Sequence, residues 1–293
     1  MLYFIAVWLV LGGVCAAVGL SLLNLLQARC FVRSSDRFIV AIWLGLLLMA
    51  NLLLAVSTLV PLSPLVGATV FVGATELALL VRPTRIELQE YRCDRSGVVA
   101  IASVMVATAA ITSRQVTWID TGLYHYGVVQ WLAQYGSVPG VALLFAHFGF
   151  TSAWFALAAP FDFGIFAARV SAVGNGFVLL LAIGHLLLAA QSIWQRQARL
   201  SDWFAIAFLG LTISLVLASS LLSDILVSPS PDLVVLFLTG IVAWTMLVIT
   251  DAAQQKQIRA MQSHSAVALL LSAGAVTIKL IALPLLFVAS CFG

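Results

Sequence analysis

The sequence predicts an all-α fold, a polytopic integral membrane helical bundle, from three observations. Of its 293 residues 63% are hydrophobic and only 9% charged, with a mean hydropathy of +1.13. A water-soluble fold of that composition would have too few polar groups to cover its surface. Apolar runs recur that are long enough to cross a ~30 Å hydrocarbon core, which takes roughly 20 helical residues. Lysine and arginine gather in alternate connections between those runs, as the topology of a membrane protein requires.

The runs at 2–26, 38–60, 64–82 and 97–113 give four spans, and those at 166–190, 203–227, 233–250 and 265–289 give four more, eight in all. Between the two sets lies a polar and aromatic insertion, so the chain reads as a single transmembrane domain: 1–113, an outward loop at 114–165, and 166–293. The first run opens Met1-Leu2-Tyr3-Phe4-Ile5 without the basic stretch of a secretory signal. It also places Val14 before Cys15, where a lipoprotein cleavage site needs a small residue, so it reads as a retained span. Short connections follow: Pro61 to Pro64 and Ser228-Pro229-Ser230-Pro231 on one side, three basic loops on the other.

A further apolar run, 141–161, decides the topology. If it stays out of the membrane core, Arg29, Arg33, Arg37, Arg82, Arg85, Arg92, Arg95, Arg196, Arg199, Lys256 and Arg259 share the cytoplasmic side and Arg114 alone lies outside. If it crosses, the loops of Arg196, Arg199, Lys256 and Arg259 move outside and that asymmetry collapses. The run is therefore expected to lie along the outer interface, with both termini extracytoplasmic. The net charge of +3 then belongs to loops that grip anionic headgroups, with no nucleic-acid surface implied. Cys15, Cys30, Cys93 and Cys291 offer no pair on one oxidising side, hence no disulfide framework or cysteine-based metal site.

The insertion reads as two interfacial helices separated by the turn Gly136-Ser137-Val138-Pro139-Gly140 between spans 4 and 5. In the first, Tyr124, Val128, Trp131, Leu132 and Tyr135 recur at helical spacing, with Gln130 and Gln134 off that face. Such aromatic side chains suit the headgroup level, either as a plain anchor or around a site. The second, 141–159, carries His147, Thr151, Ser152 and Trp154 and would cover a site opening from outside.

Asp120 is the first candidate for chemistry, because a carboxylate at the low-polarity boundary can act as a base; alternatively it caps the helix that follows. Asp162, Asp224 and Asp232 also face outward, and Asp224, beside Ser219, Ser220 and Ser223, is the best partner for an acid–base pair, whereas Asp232 reads as a turn or cap residue. His125 is a third catalytic candidate. His125 and His147 can take a proton, contact a hydroxyl or complete a divalent-ion shell with Asp120, although no metal-binding pattern demands one. Lys279 lies deep in the last span and needs an anionic partner. With Arg114 and Arg169 it can hold a lipid phosphate, or it snorkels or pairs internally. Tyr124 and Asp162 complete the substrate-binding candidates. Glu76, His185, Asn51 and Asn175 read as structural polar groups within spans.

The stretch Asp120-Thr-Gly-Leu-Tyr-His125, then Trp131, then Tyr135-Gly136-Ser-Val-Pro139-Gly140, then Phe148-Gly149-Phe150-Thr-Ser152-Ala-Trp154-Phe155, resembles a motif of bacterial polytopic membrane proteins. It is similar to the GT-C superfamily of lipid-linked-sugar glycosyltransferases. The resemblance covers about forty residues, and four spans precede the acidic loop here where the superfamily usually has one. It implies an inner-membrane enzyme in which Asp120 is the catalytic acid of the outward loop and a polyprenyl-phosphate-linked sugar is the donor. Two other classes fit the same composition. A transporter or lipid flippase would use Lys279, Glu76 and His185 along one cavity, and a noncatalytic subunit would belong to a larger membrane complex.

Overall fold

The computed structural model describes residues 1–28, 30–91, 95–149, 151–166, 173–254 and 261–292. Its described residues are helical or irregular, with no strand among them. At its centre α1 (Leu2–Leu25) and α2 (Ser34–Ser57) run antiparallel and cross closely. A Cβ on Gly19 would sit 1.7 Å from the Ala41 carbonyl oxygen, and one on Gly45 would sit 2.0 Å from that of Cys15. Lipid is as apolar as leucine, so helices in it associate by close packing, and absent side chains are what permit this approach.

The other long helices follow around this pair. Helix α3 (Pro64–Leu80) packs on α1; it begins with the Ser63 hydroxyl accepting from the Val66 amide and with proline in its first turn. At Val81 the chain bends by 98° into the short α4 (Arg82–Glu90). Helix α5 (Arg95–Thr112) leads to the insertion, which holds α6 (Tyr126–Tyr135) and α7 (Ala153–Ala158). Beyond it, α5 packs on α8 (Val173–Trp194), α8 on α9 (Leu200–Ala218), α9 on α11 (Asp232–Gln254), and α11 on α12 (Met261–Ile278), which returns to α2. Trp8, Leu20, Trp43, Met49, Phe177 and Phe237 fill the space between.

The basic end of the bundle is clamped by ion pairs. The Arg33 guanidinium donates to both Asp202 oxygens at 2.8 and 2.9 Å and to Ser192, tying the α1–α2 turn to the α8–α9 turn. Asp202 also accepts from the Arg199 amide at 2.7 Å, capping α9. Arg37 pairs with Glu87 of α4 at 3.1 Å and donates to Asn24. These two arginines therefore fix the register of helices, whereas Arg82, Arg85, Arg95 and Arg196 are exposed as a headgroup-facing reading expects.

By length and composition α1, α2, α8, α9 and α11 are able to cross a membrane, making five candidate spans, or six if α3 and α4 are taken as one. Three expectations need correction. The run 265–289 is broken at Lys279, whose extended backbone ends α12, and α13 (Leu283–Phe292) folds back against α12 and α11. Lys279 thus lies at a helix end and not deep in a span. The run 203–227 breaks at Ser219, which caps the separate α10 (Ser220–Leu226) carrying Asp224. The run 141–161 is not one interfacial helix: two single 3₁₀ turns precede α7, and α7 is buried. Proline, glycine and serine spaced through that run stop a helix from propagating.

Candidate functional site

The end opposite the ion-pair clamp is built by the insertion, and buried polar bonds hold it in place. The Ser152 hydroxyl accepts from the Trp154 amide, starting α7, and donates to the Ile278 carbonyl at 2.6 Å. The Trp154 indole donates to the Asn175 amide oxygen at 3.1 Å, and the Asn175 amide nitrogen donates to the carbonyls of Ile225, Ser228 and Ser230. One buried asparagine thereby joins α7, α8 and the α10–α11 connection. Helix α6 is fastened to α2: Ser137 donates to the Ser57 carbonyl at 2.7 Å, and Leu62 to that of Leu132 at 2.8 Å. Val128 and Leu132 are buried and both glutamines exposed, as the helical spacing predicts, although Tyr135 is 60% exposed. Gly136 closes the helix at φ +75, where a Cβ would meet the Ser57 carbonyl oxygen at 2.4 Å.

Asp120 stands immediately before a π-helical turn, Thr121–His125. Its carboxylate does not cap that turn, so the capping alternative is not what the side chain does. The turn is one residue wider than an α-turn and buries Thr121 and His125, each 1% exposed. Around His125 gather Tyr124, with ring centroids 4.4 Å apart, and Phe155 of α7 at 5.2 Å. His147 joins through Tyr124 at 5.5 Å, with Phe145 on its other side at 4.8 Å. Burial pushes the His125 imidazole down to about 4, against the opposing pull of Asp120 and Asp232. It is therefore neutral near pH 7, and its Nδ1 has no hydrogen-bond partner among the described residues. Burial, then Asp120, raises the Tyr124 phenol.

The Lys279 ammonium binds the Asp232 carboxylate at the start of α11, beside this cluster. Its anionic partner is thus internal, and Asp232 does more than end a turn. A second group of residues lies along the chain that leads into the Asp120 turn. Ser113 to Ile119, Thr121, Gly122 and Tyr126 line an open cavity of about 520 Å³. Arg114 projects into its wall while bonded to the Ile111 carbonyl at 2.8 Å and to the Ser223 hydroxyl at 3.0 Å. Trp118 Nε1 and Thr121 Oγ1 are buried there without a hydrogen-bond partner. Asp224 does not pair with Asp120 in this arrangement; it accepts from Thr117 at 2.5 Å and secures the cavity wall.

The sequence candidates thus divide. Asp120, Tyr124, His125, His147 and Lys279 are linked by ring contacts and by charge, whereas Arg114 and Asp224 belong to the cavity wall, Asp224 through Thr117. Asp162 sits apart, next to Phe161, whose carbonyl accepts from Tyr3 of α1 at 2.9 Å. Arg169 lies outside the described residues. Among the described residues no three His, Cys, Asp or Glu side chains gather in a way that would hold a metal ion, so Asp120, His125 and His147 form no such set. Trp118 and Thr121 escaped sequence reasoning, although a tryptophan two residues before the acid was the available signal. Of the three transporter candidates, Lys279 is at the loop-built end, His185 is buried against Trp244 with centroids 4.4 Å apart, and Glu76 is exposed on α3.

Fold and site together define an all-helical protein of membrane-spanning composition with an ionisable cluster and a donor-lined cavity at its loop-built end. The chain belongs to the family described as Domain of unknown function (DUF8201), whose model matches residues 1–292. No curated protein and no solved structure matches it.

Proposed function

We propose that the protein is a membrane glycosyltransferase that moves a sugar from a polyprenyl-phosphate donor to an acceptor hydroxyl on the extracytoplasmic side. The observation that carries this reading is the turn that follows Asp120, which sets a carboxylate close to a buried neutral imidazole and contributes Thr121, Gly122 and Tyr126 to the wall of the cavity that Arg114 also lines. That cavity offers one cation, Arg114, with Trp118 and Thr121 in its wall, whose buried and unpartnered Nε1 and Oγ1 suit phosphate oxygens if binding turns them inward. Exposed Ile119 and Leu123 beside it suit a lipid chain arriving from the bilayer.

In the reaction the acceptor oxygen attacks the anomeric carbon and its proton passes to Asp120. The bond between that carbon and the phosphate oxygen breaks, and the phosphate leaves with the electron pair. Arg114, Trp118 and Thr121 hold the departing charge. His125 and Lys279 set the field around Asp120, and the bulk of the exposed arginines at the other end argues that this end faces outward.

The test incubates purified protein with labelled polyprenyl-phosphate sugars and candidate hydroxyl acceptors. Asp120→Asn is expected to lower turnover by on the order of 10²- to 10⁴-fold while donor binding persists. Arg114→Ala is expected to weaken donor binding as well. Equal turnover by Asp120→Asn and the native chain would remove Asp120 from the chemistry.

A further inference from the structure

Helix α3 has one face against the bundle, where Gly67, Phe71 and Ala78 are buried, and its remaining surface is open. Along that open surface lie Leu65, Ala68, Thr69, Val72, Glu76, Leu77 and Leu80, all exposed. Most apolar side chains there need only lipid. Glu76 does not fit that explanation. It precedes the end of the helix by four residues, about 6 Å at the ~1.5 Å rise of an α-helix, with exposed leucines beyond it. No ion pair among the described residues includes it. The closest basic residues in sequence, Arg82 and Arg85, lie past the 98° bend on α4.

An ionisable side chain inside a membrane span ordinarily faces the bundle or a water-filled path and meets a partner, because leaving it among lipid tails is costly. Here the carboxylate faces away from its own bundle. The same face carries small residues: a Cβ added at Gly73 would meet nothing within 4 Å, and Ala68 and Thr69 are one turn away. Small residues at that spacing let a second helix backbone come close. A second copy of this chain would bring another glutamate to the same depth, which repels, so the complementary surface is a cation.

We propose that the outward face of α3 docks a membrane-spanning helix of a partner protein that carries a single lysine or arginine at the depth of Glu76. The ion pair sets partner choice and register, and Thr69 and Gly73 set the approach. This inference is independent of the sugar-transfer reading.

The experiment reconstitutes the full-length chain, labelled with a fluorescent donor, in phosphatidylcholine vesicles with acceptor-labelled polyleucine peptides. The peptides carry lysine, leucine or glutamate at the matching depth. The lysine peptide is expected to associate on the order of tenfold more tightly than the leucine peptide, the scale of a 1 to 2 kcal/mol interhelical contact. Glu76→Gln is expected to erase that preference. Equal association of the lysine and leucine peptides with the native chain overturns the proposal. So does energy transfer between two differently labelled copies of the chain that disappears in Glu76→Gln, because the face would then pair with itself. Should Glu76→Gln not fold, the three-peptide comparison on the native chain still decides the matter.

Discussion

Asn175 shows how much one polar side chain can organise where water is excluded. Its amide nitrogen meets three carbonyls and its oxygen meets the Trp154 indole, all at 2.7 to 3.1 Å, and the residue is completely buried. Replacing it with leucine leaves each of those groups to be satisfied elsewhere, at about 1 to 3 kcal/mol for a buried group left unpaired. Asn175→Leu is expected to destabilise the protein by roughly 3 kcal/mol, and Trp154→Phe, which frees only the amide oxygen, by about 1 kcal/mol. Thermal unfolding in detergent measures both, and the order of the two variants is the critical result. If Asn175→Leu is no worse than Trp154→Phe, the carbonyl contacts contribute little. In the sequence Asn175 could be read as a structural interhelical residue, but nothing there identified its partners. They lie 50 to 55 positions away, at the end of α10 and in the Ser-Pro connection, or 21 positions away in α7. Likewise the Asp120 turn stands out in the sequence as a candidate site from its polar residues among apolar runs. The partner of Lys279 was not, because Asp232 looked like an ordinary cap.

At the scale of elements, hydropathy located most helices to within a few residues, since a long apolar run in a membrane protein has few alternatives to a helix. Where it failed, composition and backbone signals disagreed. Runs 141–161, 203–227 and 265–289 are apolar on average, yet the chain breaks in each of them, at Ser152, Ser219 and Lys279 respectively. A serine hydroxyl that caps a new helix and a lysine that reaches a carboxylate are local devices a window average erases. The α1–α2 crossing was likewise silent, since glycine is common in spans for many reasons. Geometry makes its role specific. Gly19→Val or Gly45→Val would drive a side chain into the facing backbone, so each is expected to abolish the folded monomer in detergent. Gly13→Ala, where an added Cβ meets nothing within 4 Å, is expected to be neutral or slightly stabilising. Gel filtration and helix content after purification distinguish these outcomes, and a well-folded Gly19→Val would mean that the two helices do not cross at that point.

For the whole molecule, orientation and stability draw on overlapping sets of arginines. Arg33 and Arg37 are held in ion pairs with Asp202 and Glu87, so removing them would disturb helix packing as well as charge asymmetry. The exposed arginines, Arg82, Arg85, Arg95 and Arg196, are in no ion pair among the described residues, so in the proposed topology they would supply the orientation signal alone. This separation makes the proposed topology measurable. In a chain whose four cysteines are replaced by serine, single cysteines at Leu59 or Leu143 mark the loop-built end and one at Arg196 marks the basic end. An impermeant maleimide applied to intact cells stripped of their outer barrier is expected to label Leu59→Cys and Leu143→Cys at once. Labelling of Arg196→Cys is expected only after permeabilisation. Leu143 is 92% exposed and Leu59 84%, so burial would not account for a failure to react. The reverse pattern would put Asp120 and the Arg114 cavity on the cytoplasmic face. An acceptor outside the cell could then not reach the carboxylate, and transfer of a lipid-linked sugar to it would fail on geometry alone, whatever the turnover of the purified protein.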